Sequence, residues 1–301
     1  MTSKREIWTR KLLYPGHTLP TAAAPVIVAA GLAFHYGVFA LLPAIAAFIA
    51  GWLIQFAGVV TDNYENLVRE PDDREHPEMV AALSSGVVTL RGLKTTIIAC
   101  YTLAALAGAY LVFIGGIPVV AIGLLSMLAS WAYSAGPAPV GRIGLADPLF
   151  FLFFGAVSVA GAYYVQAASH GVTGLPWTAV ALSVPIGALA TNILIIDDIR
   201  DCAFDAAKGK RTIAVRFGTK WSRAEFLVLM TIAYAAPFWF WRILGLGPWS
   251  MLPIVSLPMA LLVSREVMRR DKFADLVPMT PRAAMLALAY AVLLALGLTM
   301  S

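Results

Sequence analysis

An all-α polytopic membrane protein with nine transmembrane helices is the fold class this sequence predicts. Three observations carry it. Of 301 residues, 60% are hydrophobic and 13% charged, about half the charge of a soluble domain, and the mean hydropathy is +0.79. Nine runs approach or exceed the ~20 mostly apolar residues that a helix needs to cross hydrocarbon. Every Lys and Arg except Arg242 falls in alternate loops between these runs, the asymmetry that orients membrane proteins.

The runs are 18–36, 39–61, 94–114, 117–135, 147–168, 174–196, 225–246, 249–264 and 282–300. Span one follows a polar segment with Lys4, Arg5, Arg10 and Lys11. That segment lacks the apolar core and small-residue cleavage site of a signal peptide. Arg69, Arg74, Arg91 and Lys94 lie between spans two and three, and Arg142 between four and five. The run from Arg200 through Lys208, Lys210, Arg211, Arg216 and Lys220 to Arg223 separates spans six and seven. Arg265, Arg269, Arg270, Lys272 and Arg282 separate eight and nine. One helix more or fewer would scramble this alternation. It predicts a cytoplasmic N-terminus, cytoplasmic charged loops and an outside C-terminus. Span eight is the shortest and carries Pro253 and Pro258, so its ends are the least defined. Elsewhere Pro and Gly are tolerated because neighbouring helices satisfy the freed backbone groups.

The net charge of +5 thus serves topology rather than nucleic-acid binding. Cys100 and Cys202 fit neither a disulfide framework nor a zinc spacing. The expected organisation is one integral-membrane domain over residues 1–301, in a bacterial or archaeal cell membrane. Oligomeric state is not legible.

Two acidic clusters directly follow apolar runs. One is Asp62, Glu65, Glu70, Asp72 and Asp73. The other is Asp197, Asp198, Asp201 and Asp205, followed by Lys208, Lys210 and Arg211. Carboxylates at the edge of hydrocarbon are costly unless solvated, paired or bound to a cation. Asp197, Asp201 and Asp205 recur every four residues, on one helical face. Mg²⁺ takes one or two carboxylates plus water and phosphate oxygens, so a diphosphate held through Mg²⁺ explains both clusters. Hydrated helix ends are the plainer reading of each. The spans themselves hold no charged residue near their middles, unlike a transporter with a midplane site. If the diphosphate leaves an allylic carbon, an apolar bundle shields the cation from water. Tyr163, Tyr164 and Trp131 are candidate aromatic faces for it, or simply packing residues.

Longer strings resemble the UbiA family of intramembrane prenyltransferases, nearest its menaquinone-type branch. They are His17-Thr-Leu-Pro-Thr-Ala-Ala-Ala-Pro25, Tyr133-Ser-Ala-Gly-Pro137, Gly144-Leu-Ala-Asp147, Phe153-Phe-Gly155 through Tyr164-Val-Gln166, and Asp201-x-x-x-Asp205 with Gly209-Lys-Arg-Thr212. The resemblance covers nearly the whole chain. It implies a nine-helix UbiA-type bundle with a cytoplasmic-side cavity and Mg²⁺. It also implies an isoprenyl diphosphate donor and an aromatic acceptor such as 1,4-dihydroxy-2-naphthoate. Carried onto this chain, it makes Asp62, Asp72, Asp201, Asp205 and Tyr133 the catalytic candidates, and Asp62, Glu65, Asp72, Asp198, Asp201 and Asp205 the metal candidates. Asn66, Arg142, Lys208, Lys210 and Arg211 are the candidates for the diphosphate.

The family's first motif, Asn-Asp-x-x-Asp, falls in gapless register on Asp62-Asn63 and Asn66. A shift of one residue gives Asp62 and Glu65 instead. Ala138 stands where the family has a lysine after Tyr133, and Arg142 is the nearest substitute. Asp197-Asp198 replaces an Asn-Asn pair. Two other functions remain open on these departures. One is a terpene cyclase of the same family, in which the ionised donor closes on itself. The other is a non-catalytic isoprenoid-binding or transport homologue.

Overall fold

The computed structural model describes residues 18–69 and 77–301. Among them nine helical segments are long and apolar enough to span a bilayer: α1 Thr18–His35, α2 Leu41–Arg69, α3 Leu90–Gly115, α4 Ile117–Ser134, α5 Ala146–Ala168, α6 Trp177–Ala207, α7 Thr219–Arg242, α8 Pro248–Arg269 and α9 Phe273–Thr299. The expected nine spans are therefore all present.

The differences are at the ends. α2 has 29 residues and α6 has 31, so at 1.5 Å per residue they run about 43 and 46 Å, against a hydrocarbon core of ~30 Å. Hydropathy marks where the lipid stops, not where the helix stops. Both acidic clusters begin on these overhanging turns, on helical backbone rather than in loops. Asp72 and Asp73, like His17 and the N-terminal basic residues, lie outside the described residues.

Three spans depart from regular α-helix. α5 opens with a turn, Ala146–Phe150, and passes through a π-helical stretch, Phe151–Val157. The Ser158 hydroxyl donates to the Phe153 carbonyl at 2.7 Å. α8 begins as a 3-10 helix, Pro248–Ser256, and becomes α at Leu257, which accounts for the weak sequence signal there. α9 opens with a single turn, Phe273–Leu276, before its main helix.

α6 is the central helix, with 89% of its apolar window buried. It shares one apolar core with α1, α7, α9 and the second half of α5. A second core joins α2, α3 and the short helix Pro77–Ser84. α3 and α4 form a thin outer panel, only 17% and 11% buried over their windows. α5 and α6 cross at a glycine pair. A Cβ on Gly187 would sit 2.6 Å from the Phe151 carbonyl oxygen, and one on Gly155 would sit 3.0 Å from the Gly187 Cα. Only glycines permit that approach, as at small-residue crossings of membrane helices generally.

Candidate active site

Between the two cores lies a cavity of about 840 Å³, walled by α1 to α6. Its deep part is lined by small and apolar residues, including Ala104, Gly108, Val112 and Gly123. Its other end, here the acidic end, is formed by Asp62 and Asn63 of α2, Tyr133 of α4, Phe150 of α5 and Asp197 of α6.

α2 turns one face to this space. Gln55, Gly58 and Asp62, at i, i+3 and i+7, all line it. The Asp62 carboxylate accepts from the Ser134 hydroxyl at 2.7 Å and from the Asn66 amide at 3.1 Å. Asn66, a candidate for the diphosphate, thus orients Asp62. Glu65, one turn on from Asp62, pairs with Arg69 at 3.1 Å. Arg69 also donates to the Gly136 carbonyl at 3.0 Å and pins the end of α2 to the loop after α4. Both members of the shifted motif are therefore on the helix, but only Asp62 lines the cavity.

On the opposite wall, Asp197 is the cavity-lining acid of α6. Its Oδ1 accepts from Thr280 at 2.6 Å and from Arg200 at 2.5 Å. Arg200 then forms a two-pronged pair with Asp201, Nε to Oδ1 at 2.6 Å and a terminal nitrogen to Oδ2 at 2.5 Å. Its guanidinium lies 5.6 Å from the Phe273 ring centroid. Asp205, buried one turn further out, is held by Lys210 at 2.7 Å. Two cations thus offset part of the charge of the three-acid face. Asp198 lies beside that face and Asp147 is buried nearby in sequence to Phe150, with Oδ1 unpartnered.

The basic loops meet at this end. The Arg211 amide donates to the Arg142 carbonyl at 2.8 Å, so the short helix Val140–Ile143 sits against the segment after α6. Gly144 follows it with φ of +82°, and the Arg211 carbonyl lies too close for a side chain there. Lys210, a candidate for the diphosphate, pairs with Asp205. Arg142, Lys208 and Arg211 flank the acidic end without lining the cavity.

Of the two readings of the aromatic candidates, packing is the one the lining agrees with. Tyr163, Tyr164 and Trp131 are absent from the cavity lining, whereas Tyr133, Phe150, Phe153 and Phe154 belong to it. Tyr164 donates to the Gly115 carbonyl, some fourteen residues or ~21 Å along α5 from Phe150. Trp131 is 45% exposed. Tyr133 stacks at 5.6 Å on Phe150, and Phe150 at 5.0 Å on Phe154. This row of rings descends from the acidic end into the apolar part. Gly141 makes room for it, since a Cβ there would lie 3.1 Å from the Tyr133 ring.

Among the described residues no group of three or more Asp, Glu, His or Cys is gathered as a self-sufficient metal cage. Two carboxylates facing one space from separate helices instead suit a hard cation that completes its shell with ligand oxygens. Spacing puts Asp197, Asp201 and Asp205 on one face, while the family motif points to Asp201 and Asp205 and leaves Asp197 out of the metal candidates. The signal for Asp197 was its place as the first acid after the apolar run. Arg200, which organises the face, has no motif-level signal beyond lying between two acids.

Carboxylates at the head of an apolar chamber, inside a bundle of membrane-length helices, define the kind of site an intramembrane enzyme has. The comparisons agree. The UbiA prenyltransferase family matches residues 22–279, and the chain belongs to it. It is 32% identical to the 1,4-dihydroxy-2-naphthoate octaprenyltransferase of Mycobacterium tuberculosis, over 87% of this chain and 86% of that one. A UbiA homologue from Aeropyrum pernix K1, solved in its apo form, superposes with a TM-score of 0.70 at 18% identity, covering 93% of this chain and 97% of that one. One from Archaeoglobus fulgidus, bound to DMAPP and Mg²⁺, superposes with a TM-score of 0.58 at 17% identity, covering 95% and 98%. At those identities the two structures speak to the fold.

Proposed function

We propose that this protein transfers an isoprenyl group from an isoprenyl diphosphate to an aromatic acceptor of the dihydroxynaphthoate type, with Mg²⁺, at the cytoplasmic face of the membrane. The observation that carries this reading is the pairing of Asp62 and Asp197 at the head of one apolar cavity. The relative that acts on dihydroxynaphthoate supplies the acceptor class. The alternation of basic loops supplies the orientation.

On this reading Asp62 and Asp197 would hold Mg²⁺ together with diphosphate oxygens, and Asp72, outside the described residues, is a further candidate ligand. Bound there, the ion would neutralise the diphosphate and make it a better leaving group. Ser134, Asn66 and Thr280 keep the two carboxylates aimed at the cavity. Arg142, Lys208 and Arg211 supply positive charge around the departing anion, and the planar guanidinium suits phosphate oxygens. Asp198, Asp201 and Asp205 form an outer acidic shell. Asp201 and Asp205 would be open to a cation only if Arg200 and Lys210 gave them up. Tyr133, Phe150 and Phe154 present ring faces to an allylic carbon as positive charge grows on it. The apolar walls keep water away until the acceptor ring attacks.

The test is product analysis with purified protein in liposomes, supplied with Mg²⁺, prenyl diphosphates of several lengths and dihydroxynaphthoate. A prenylated aromatic supports the proposal. A cyclic product that forms equally well without acceptor replaces it with the cyclase reading, and no turnover with any donor overturns it. Asp62→Asn and Asp197→Asn should each lose at least about a hundredfold in kcat/KM, close to 3 kcal/mol of transition-state stabilisation. Glu65→Gln, which breaks only a partly exposed i,i+4 pair, should stay within about threefold of wild type.

A further inference from the structure

We infer that Gln55 is the residue that recognises the acceptor, through a hydrogen bond to one of its ring hydroxyls. The inference rests on the proposed prenyl transfer and names a specificity determinant within that site. Gln55 lies on the cavity-lining face of α2, seven residues before Asp62. That separation is about 10 Å along the helix, below the head, in the same cavity as the row of rings. Its neighbours on the wall, Gly51, Ile54, Gly58 and Val59, offer no polar side chain. Its Oε1 is closed off from solvent with no donor in reach.

One hydroxyl elsewhere on the lining is already used. The Ser130 hydroxyl donates to the Ile54 carbonyl at 2.8 Å and accepts from Tyr101 at 3.1 Å. Gln55 thus carries an unpartnered carbonyl oxygen at the wall of an apolar chamber. A buried polar group without a partner is costly. A prenyl chain has no donor to offer, so the hydrocarbon of the donor substrate leaves that cost in place. An aromatic ring with hydroxyl groups removes it. The terminal torsion of glutamine is broad and two-fold, so a half-turn presents Oε1 to the cavity as an acceptor for a phenolic O–H. The ring is then held between the amide and the stacked rings, with its edge toward the carbon that leaves the diphosphate.

The test compares wild type with Gln55→Met, which keeps the length and removes the amide, and Gln55→Glu. Initial rates are measured with dihydroxynaphthoate and with its mono-methyl ethers. Donor binding is measured separately, by calorimetry with a thiolodiphosphate analogue and Mg²⁺. A site built to hydrogen-bond a hydroxyl discriminates strongly against an analogue lacking it. Wild type should prefer the free hydroxyl over one of its ethers by at least about tenfold. Gln55→Met should raise the acceptor KM about tenfold and erase that preference, with donor affinity within about twofold of wild type. Gln55→Glu, which still offers an acceptor oxygen, should keep the preference. Unchanged acceptor KM in Gln55→Met, or a preference that survives it, overturns the assignment. A parallel loss of donor affinity also overturns it, because the residue would then be structural. Failure of wild type to prenylate any aromatic, with donor still bound, overturns instead the prenyl-transfer reading on which it rests.

Discussion

Arg200 shows how one side chain decides what a spacing means. Acids every fourth residue announce a charged face, and the sequence makes that face plain. It does not say whether the face waits for a metal or carries its own cation. The structure has Arg200 bridging Asp197 and Asp201, with Arg200 18% and Asp201 15% exposed at the side chain. Such a pair is held mostly out of water, so removing one partner strands the other. Arg200→Met should therefore destabilise the protein by about 3 kcal/mol. Replacing Arg200→Met together with Asp201→Leu should recover part of that loss, since it removes one of the two acids that the arginine leaves behind, Asp197 keeping Thr280. Denaturant titration in mixed micelles, without divalent metal, reads both values. Full stability in the single variant would mean that the pair contributes nothing. The same limit applied to the first motif. On sequence, the gapless register pairs Asp62 with Asn66, and a shift of one residue pairs it with Glu65. The rotation of α2 and the position of Arg69 separate them, and neither lies within reach of a local pattern.

At the scale of elements, hydropathy located all nine spans because the lipid imposes one length on every helix. What it missed are places where a helix answers to a neighbour rather than to lipid. The overhangs of α2 and α6 are polar helix beyond the bilayer edge, and the π-helical stretch of α5 faces the Gly155–Gly187 crossing. That crossing sets where Phe150 and Phe154 point, since both sit within a turn of it. Gly187→Ala places a methyl 2.6 Å from the Phe151 carbonyl, so the helices must part. Overpacking of this kind costs about 1–3 kcal/mol. The expected outcome is a lower midpoint in thermal denaturation and a fall in kcat, as the rings lose their alignment with the cavity head. Gly123→Ala is the control. A Cβ there meets open space, and the midpoint should not move.

For the whole molecule, the charge pattern proposes the sidedness, with the acidic end on the cytoplasmic side. α9 starts at the acidic end, where Thr280 bonds Asp197, and finishes at the opposite end. A reporter fused after Ser301 should therefore be active only outside the cytoplasm. Cys202, partly exposed on the last turns of α6, should react with a membrane-impermeant thiol reagent only in inverted vesicles. Buried Cys100 should stay unlabelled in both preparations. Labelling of Cys202 in right-side-out vesicles would reverse the orientation and move the chemistry to the other face.

The thin panel of α3 and α4 has a consequence for kinetics. One layer of poorly buried helix divides the chamber from the surrounding oil. On the proposed reaction, the long carbon skeletons are exchanged sideways with the lipid, and only the head groups ever meet water. Substrate supply then becomes a two-dimensional problem. Diluting the donor with inert phospholipid slows encounter as surely as diluting a solute, whereas adding buffer at fixed lipid composition leaves it untouched.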